Sequence, residues 1–342
     1  MSKKVVGLIH NVPVSRGQDF SEASADIMTQ VEAIEEALED LGRRSVRIPF
    51  TREVSVFLEG MKEAGAGIAL NLCETVDEDP LLAGHSAALF ELLSIPFSGS
   101  PAIALMLTTD KLTTKQLLKA QGIRTPRCLS FDGANRADFH GLKYPVILKP
   151  RFQDASIGIE QESIFVDDLS LRKGINGFFD RFGPLLVEEF VEGREFNVSL
   201  FGYPSPGTLP IAEIDFSTFP EGLFPIVGYR AKWDASSIEY FHTPRTFPNG
   251  LSSSLRQGIE GIALECFHLF MLRDYGRIDM RVDKDGQIYV LEVNANPCLS
   301  PDAGFAAAAQ QAGMAYTDIV ERLVEFVEER ASNDGIPTAH IG

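Results

Sequence analysis

The segment Gly276-Arg-Ile-Asp-Met-Arg-Val-Asp-Lys-Asp-Gly-Gln-Ile-Tyr-Val-Leu-Glu-Val-Asn-Ala-Asn-Pro297 constrains the fold more than any other. Residues 277–282 alternate polar and apolar, 287–294 are rich in Val, Ile and Tyr, and Asp283-Lys-Asp-Gly286 between them is a turn signal. The pattern predicts an antiparallel hairpin in which Val282 faces Gln287 and Asp279 faces Val290. Side chains two apart on a strand share a face. Asp279, Glu292 and Asn294 therefore project together, with Arg277 and Arg281 on the same side. Two carboxylates and an amide oxygen make a hard oxygen cluster suited to magnesium rather than zinc. A β-bulge in either strand would break this parity. A hairpin whose polar face simply meets water fits the segment equally well, so the rest of the chain must decide.

A chain of 342 residues can bury a large core and is expected to form two or three domains. Its formal net charge of −17 argues against general binding to a nucleic-acid backbone but leaves room for local basic sites that hold a nucleotide. Cys73, Cys128, Cys266 and Cys298 are widely spaced with no CxxC or Cys/His pattern. They read as reduced, packed thiols, not a zinc site. The N-terminal apolar run is too short for a signal peptide, and no window reaches the length of a membrane span. A soluble, cytoplasmic protein is the expectation.

Lys4–Ile9, Val46–Ile48 and Gly67–Leu72 read as parallel strands, with helices at Ser24–Leu41 and near Val54–Ala64 between them. Residues 1–100 thus predict a small Rossmann-like parallel α/β domain. A helix over Asp110–Gln121 is opened by Thr108-Thr109 and closed by Gly122. Beyond it lie candidate strands Val146–Lys149, Glu162–Val166, Leu185–Phe190 and Phe196–Phe201, which suggest an α+β region with an antiparallel sheet. Residues 216–245 carry many aromatics, Gly and Pro with little periodicity, the signature of a functional lid. A helix over Tyr316–Arg330 closes the domain, and the tail after Ala331 is expected to fray.

Lys149 ends an apolar strand, as a solvated surface residue or as a phosphate ligand. Arg151-Phe-Gln-Asp-Ala-Ser-Ile-Gly158 is a loop that could fold over phosphates through backbone N–H groups and the Ser156 hydroxyl. Val187-Glu-Glu-Phe-Val-Glu-Gly-Arg-Glu-Phe-Asn197 clusters acids between two strands, as a charged strand end or as acceptors for a nucleotide's amino and hydroxyl groups.

The order of these elements resembles the ATP-grasp superfamily and, in detail, the D-alanine–D-alanine ligase family, over roughly residues 68–330. The resemblance rests on Ile95-Pro-Phe-Ser-Gly-Ser100, Thr109-Asp-Lys111, Val146-Ile-Leu-Lys-Pro150, Val187-Glu-Glu-Phe, Gly276-Arg-Ile-Asp279, Leu291-Glu-Val-Asn-Ala-Asn-Pro297 and Ala312-Gly-Met-Ala-Tyr316. It implies an N-terminal domain over 1–100, a central ATP-grasp subdomain over 101–186, a C-terminal subdomain with the metal site over 187–332, and a tail over 333–342. By position, Lys111 and Lys149 would hold ATP phosphates under the Ser156 loop. Glu188 would meet the adenine amino group, with Glu189 beside it, Val191 the ring edge through its backbone, and Glu195 the ribose. Asp279, Glu292 and Asn294 match ligands of magnesium, for which manganese could substitute. Arg277 and the Cys298 backbone N–H match the groups that stabilise the transition state, and Lys232 the lid lysine.

The substrate side departs from the family. Its N-terminal Gly-Gly-x-Ser-x-Glu signature is replaced by His10-Asn-Val-Pro-Val-Ser15, with Glu22 as a stand-in for the glutamate. Ala155 and Trp233 stand where a serine and a tyrosine complete a hydrogen-bonded trio, Ala303 where a serine lies near the acceptor carboxylate, and Asn71–Asp79 replaces a His-Gly-rich loop. Glu22, Glu74, Trp233 and Asp302 are the substrate-side candidates. The resemblance implies an ADP-forming carboxylate–amine ligase acting through an acylphosphate on small amino-acid-like substrates, and a homodimer through the N-terminal region. The alternatives are an authentic D-alanine–D-alanine ligase and a catalytically inactive ATP-binding regulatory module.

Overall fold

A computed structural model describes residues 4–13, 20–133 and 138–333. Val14 and Ser15 of the N-terminal stretch, and the tail from 334 onward, lie outside them. The chain opens with β1 (Val5–His10), α1 (Ser21–Asp40), β2 (Ser45–Pro49), α2 (Val54–Ala64) and β3 (Ala66–Asn71). The strands form a parallel sheet in the order β2-β1-β3. The unbroken apolar run of β1 suits a strand flanked on both sides and covered on both faces. On α1, Ile27, Val31, Ile34 and Leu38 are buried at helical spacing; the helix begins at Ser21, one turn before the expected Ser24. The stretch Ile95–Ser100 runs beside β3, Ala69 N donating to Pro96 O and Ser98 N to Ala69 O, both at 2.9 Å.

Helices α3 (Gly84–Leu92), α4 (Ala102–Thr109) and α5 (Lys111–Ala120) follow. Thr108 and Thr109 do not open α5, contrary to the expectation from sequence. Their hydroxyls fold back onto carbonyls of α4, and Asp110 caps α5 instead, accepting from Leu112 N and Thr113 N. Arg151 clamps the same carboxylate at 2.7 and 2.6 Å.

Two antiparallel sheets, not one, make up the rest. The first has β4 (Cys128–Phe131), β5 (Val146–Pro150), β6 (Ile164–Phe165) and β7 (Leu185–Glu189) in the order β4-β7-β5-β6, with α6 (Asp168–Phe182) packed on it. The strand expected over Glu162–Val166 shrinks to β6, because Gln161–Ser163 closes a 3-10 turn. The second sheet contains β8 (Arg194–Gly202), β9 (Gly207–Thr208) and β10 (Ala212–Ile214). After α7 (Tyr229–Trp233) and α8 (Ile238–Phe241) it gains β11 (Arg245–Thr246) and, after α9 (Ser253–Leu269), β12 (Asp274–Val282) and β13 (Ile288–Asn294). Its order is β11-β10-β8-β12-β13, with β9 on β8.

Helices α10 (Gly304–Gln311) and α11 (Tyr316–Asn333) return to the beginning of the chain. Val6 and Leu8 of β1 share a core with Ile27 and Ile34 of α1 and with Val320, Val324 and Val327 of α11. Arg330 fastens this contact. It donates to Asp274 at 2.7 Å and to the Phe97 carbonyl at 2.7 Å, while Gly99 N donates to Asp274 at 2.8 Å. No helix among the described residues is long and apolar enough to cross a membrane.

Candidate active site

The β12–β13 hairpin differs from its expected register. Asp283 N donates to Gln287 O and Gly286 N to Asp283 O, with Gly286 at φ 77°. The connection is thus a three-residue loop with a left-handed glycine rather than a two-residue turn, and Val282 faces Ile288, not Gln287. Carried along the ladder, that one-residue shift would place Glu292 and Asn294 on the face opposite Asp279. A bulge between Asp279 and Met280 reverses it. Beyond the bulge Asp279 faces Glu292 and Arg277 faces Asn294, so the oxygen-bearing side chains share one face after all. The carbonyl of Leu291, at the bulge, accepts from the buried Lys115 ammonium at 3.2 Å.

On this face Arg277 grips both oxygens of Asp279 at 2.8 and 2.9 Å. Asn197, opposite Asp279 on β8, donates to it at 2.7 Å, and Asn294 does so at 3.1 Å. Glu292 lies 3.2 Å from Lys111. Burial alone would raise the Glu292 pKa, but Lys111, Lys232 and Lys149 together hold it well below the usual carboxylate range. Among the described residues no three His, Cys, Asp or Glu side chains form a self-sufficient metal cage. Two carboxylates and an amide nevertheless suit a magnesium ion that takes its other oxygens from nucleotide phosphates and water.

The face opens on a cleft of about 1000 Å3 that every sequence candidate borders except Glu22. Lys149 and Lys115 flank the buried Glu188 at 2.7 and 2.6 Å. Burial would raise the Glu188 pKa, but the two ammonium groups hold it below its ordinary value. Its carboxylate is therefore committed to lysines in this state. Lys111 bonds Asp154 at 2.9 Å and the Gln153 carbonyl at 2.5 Å. Glu195 pairs with Arg281 at 2.8 Å, and Arg281 also takes the Val191 carbonyl at 2.7 Å. Glu189 accepts from Lys143 N at 2.8 Å. The charge of Lys232 is disfavoured first by burial and then by Arg277.

The loop over the cleft is latched to the lid. Ser156 donates to Val227 O at 2.8 Å and Trp233 Nε1 to Ala155 O at 3.0 Å. Ala155 and Ser156 both adopt positive φ, 55° and 61°, unusual for residues with a side chain. Glu22 stands outside the cleft wall but reaches the lid, accepting from the Tyr229 hydroxyl at 3.1 Å. On the N-terminal side, Glu74 accepts from Gln30 at 3.1 Å. The Cys298 thiol and Ser300 hydroxyl both donate to Asp26, which ties the turn after β13 to α1. Asp302 offers its carbonyl to Arg245.

Sequence reasoning missed Lys115, Asp154, Asn197 and Arg245 as members of this site and gave Arg281 a face but no role. Lys115 carries a signal, since it lies one helical turn from Lys111, and Arg281 stands on the face the alternation defines. Asn197 becomes visible only when β8 is known to pair with β12.

The family model described as D-ala D-ala ligase C-terminus matches residues 116–325. An uncharacterised protein, y4sG, of Sinorhizobium fredii is 29% identical over 273 residues, covering 79% of this chain and 77% of its own length. A D-alanine–D-alanine ligase of Carboxydothermus hydrogenoformans is 31% identical over 302 residues, 86% of this chain and 90% of that protein. Among solved structures, a D-alanine–D-alanine ligase from Bacillus anthracis superimposes with a TM-score of 0.76 at 25% identity, covering 97% of this chain and 100% of that one. The same enzyme complexed with ATP gives 0.76 at 23% identity and the same coverage.

Proposed function

Since this chain belongs to the D-alanine–D-alanine ligase family and is an ATP-dependent, ADP-forming ligase, we propose that it joins a carboxylate to an amine on small amino-acid-like substrates through an acylphosphate. One observation carries the reading. Asp279, Glu292 and Asn294 share a face in the same cleft as Lys111 and Lys149.

A carboxylate is a poor acyl donor because its leaving group would be oxide. When one of its oxygens attacks the γ-phosphorus of ATP, ADP departs and the acyl carbon gains phosphate as leaving group. Positioning and charge neutralisation supply most of the catalysis for such transfers. Lys111 and Lys149 neutralise phosphate oxygens, exchanging Asp154 and Glu188 for the nucleotide. Asp279, Glu292 and Asn294 would hold magnesium, which when bound neutralises charge on the terminal phosphates. The amine then attacks the acyl carbon and phosphate leaves. Arg277 and the Cys298 N–H stabilise the tetrahedral oxyanion. Acylphosphates hydrolyse in water, so the contacts of Ser156 and Trp233 that close loop against lid have a chemical purpose.

The test is an ADP-release screen across D- and L-amino acids, singly and in pairs, with products identified by mass spectrometry. Release that requires an amino acid supports the reading; amino-acid-independent release, or none, defeats it. A strict D-alanine–D-alanine ligase is the second reading, favoured by the Carboxydothermus relative. Against it stands the rebuilt latch, where Trp233 bonds a main-chain carbonyl at Ala155 and Tyr229 takes Glu22.

A further inference from the structure

Arg245 is a cation at the cleft to which the scheme above gives no role. Arg245 opens β11, at the edge of the six-stranded sheet, and borders the cleft. The neighbouring site arginines are matched with acids, Arg277 with Asp279 and Arg281 with Glu195. Arg245 instead donates to a neutral group, the Asp302 carbonyl, at 3.3 Å, and forms no ion pair among the described residues. Its guanidinium lies over the start of α10, where a Cβ built on Gly304 would approach Nε and Nη2 to 3.5 Å. Partial burial, first, and the Arg277 guanidinium, second, disfavour its charge, the Asp302 carboxylate favours it, and the residue as a whole is exposed at the mouth of the cleft. Two guanidinium groups share this corner, and the one without an acid in ion-pair contact is open to an anion that arrives from outside.

We propose that Arg245 binds a carboxylate carried by the amine substrate, and so selects an amino acid over a simple amine or an amide as acceptor. The inference rests on the ligase reading. Position separates this subsite from the phosphate site. The charges acting on Arg245 are those of Arg277 and Asp302, whereas Glu292 feels Lys111, Lys232 and Lys149. Arg277 and Cys298 are the residues assigned to the oxyanion, where the amine attacks. The donor's carboxylate is consumed in forming the amide, but a carboxylate on the acceptor survives into the product. A fixed cation beside the reacting centre therefore suits the acceptor. The planar guanidinium fork matches a carboxylate and gains much less from a carboxamide.

The test is an internal competition. Wild type, Arg245→Ala and Arg245→Lys are each given ATP with alanine, serine or glycine, in both stereochemical forms where they exist, plus the carboxamide of the same amino acid. Mass spectrometry reads the ratio of dipeptide to dipeptide amide, a quantity that loss of folding alone does not move. Wild type should make dipeptide. Arg245→Ala should lower the ratio on the order of 10- to 100-fold with the KM for ATP unchanged, and the lysine variant should fall between. If the alanine variant loses all turnover, the ratio is read from Arg245→Gln. An unmoved ratio in a wild type that makes dipeptide, or a defect expressed only in the KM for ATP, overturns the subsite and leaves the ligase reading standing. A wild type that makes neither product from any of these amino acids overturns both.

Discussion

At the scale of single residues, the cleft is a set of charges already matched to one another. Glu292 is held ionised by lysines and Lys149 is engaged with Glu188, so each contributes charge at fixed position. Glu292→Gln and Lys149→Ala should each cut ADP release by at least about 100-fold, the loss typical of one electrostatic contact to a transition state. Circular dichroism should show the fold unchanged; normal turnover in either variant would refute its assignment. Glu74 offers a pH test. Burial, with Asp26 and Asp154 adding, pushes its pKa from 4.5 up to about 7 against the opposing Gln30 hydrogen bond. The folded protein therefore holds this proton more tightly than the unfolded chain does. Its stabilisation is full below about pH 4.5 and is lost as pH climbs to about 7, by at most roughly 3 kcal/mol. Denaturant titrations should show Glu74→Gln gaining on the wild type across that interval; a constant difference would refute the argument.

At the scale of elements, the hairpin shows what alternation reveals and what it hides. That Glu292 and Asn294 share a face, as do Arg277 and Asp279, was legible because strand side chains repeat every two residues; that the two pairs meet depends on a bulge that cancels the one-residue error in the expected register. The register was not, since Asp285-Gly286 serves a two-residue turn or a three-residue loop with a glycine bulge equally well. The second bulge has no local signature either; part of its support is Lys115, far away in sequence. Gly286 sits at φ 77°, and a Cβ added there would meet nothing within 4 Å. Gly286→Ala should thus cost only backbone strain, roughly 1–2 kcal/mol by thermal or denaturant unfolding. A neutral result would mean the loop can adopt the other turn. Helices α6 and α9 were not legible in the sequence because glycines interrupt them. Gly174 of α6 has the Phe165 ring where its Cβ would be, at 2.6 Å, and Gly258 of α9 has Ile288 at 3.0 Å. Those glycines answer to their packing partners, which the local sequence does not contain.

At the scale of the whole molecule, the N-terminal parallel unit depends on the other end of the chain. Its α/β alternation was readable from residues 1–100, but not that α11 would complete its core. Asp274 is 1% exposed, and Arg330 carries the positive charge bound to it. Arg330→Ala would strand that carboxylate, and such losses cost about 3–5 kcal/mol. Chemical denaturation should report a loss of that order, and less than about 1 kcal/mol would show that water replaces the arginine. A fragment ending at residue 100 should show no cooperative unfolding transition, because the surface of β1 and α1 that meets Val320, Val324 and Val327 would be left in water. The same closure bears on biosynthesis. Ribosomes release polypeptide from the front, so the earliest strand leaves the exit tunnel long before the final helix is translated. The apolar flank it keeps for that helix is open to chaperones until α11 emerges and docks.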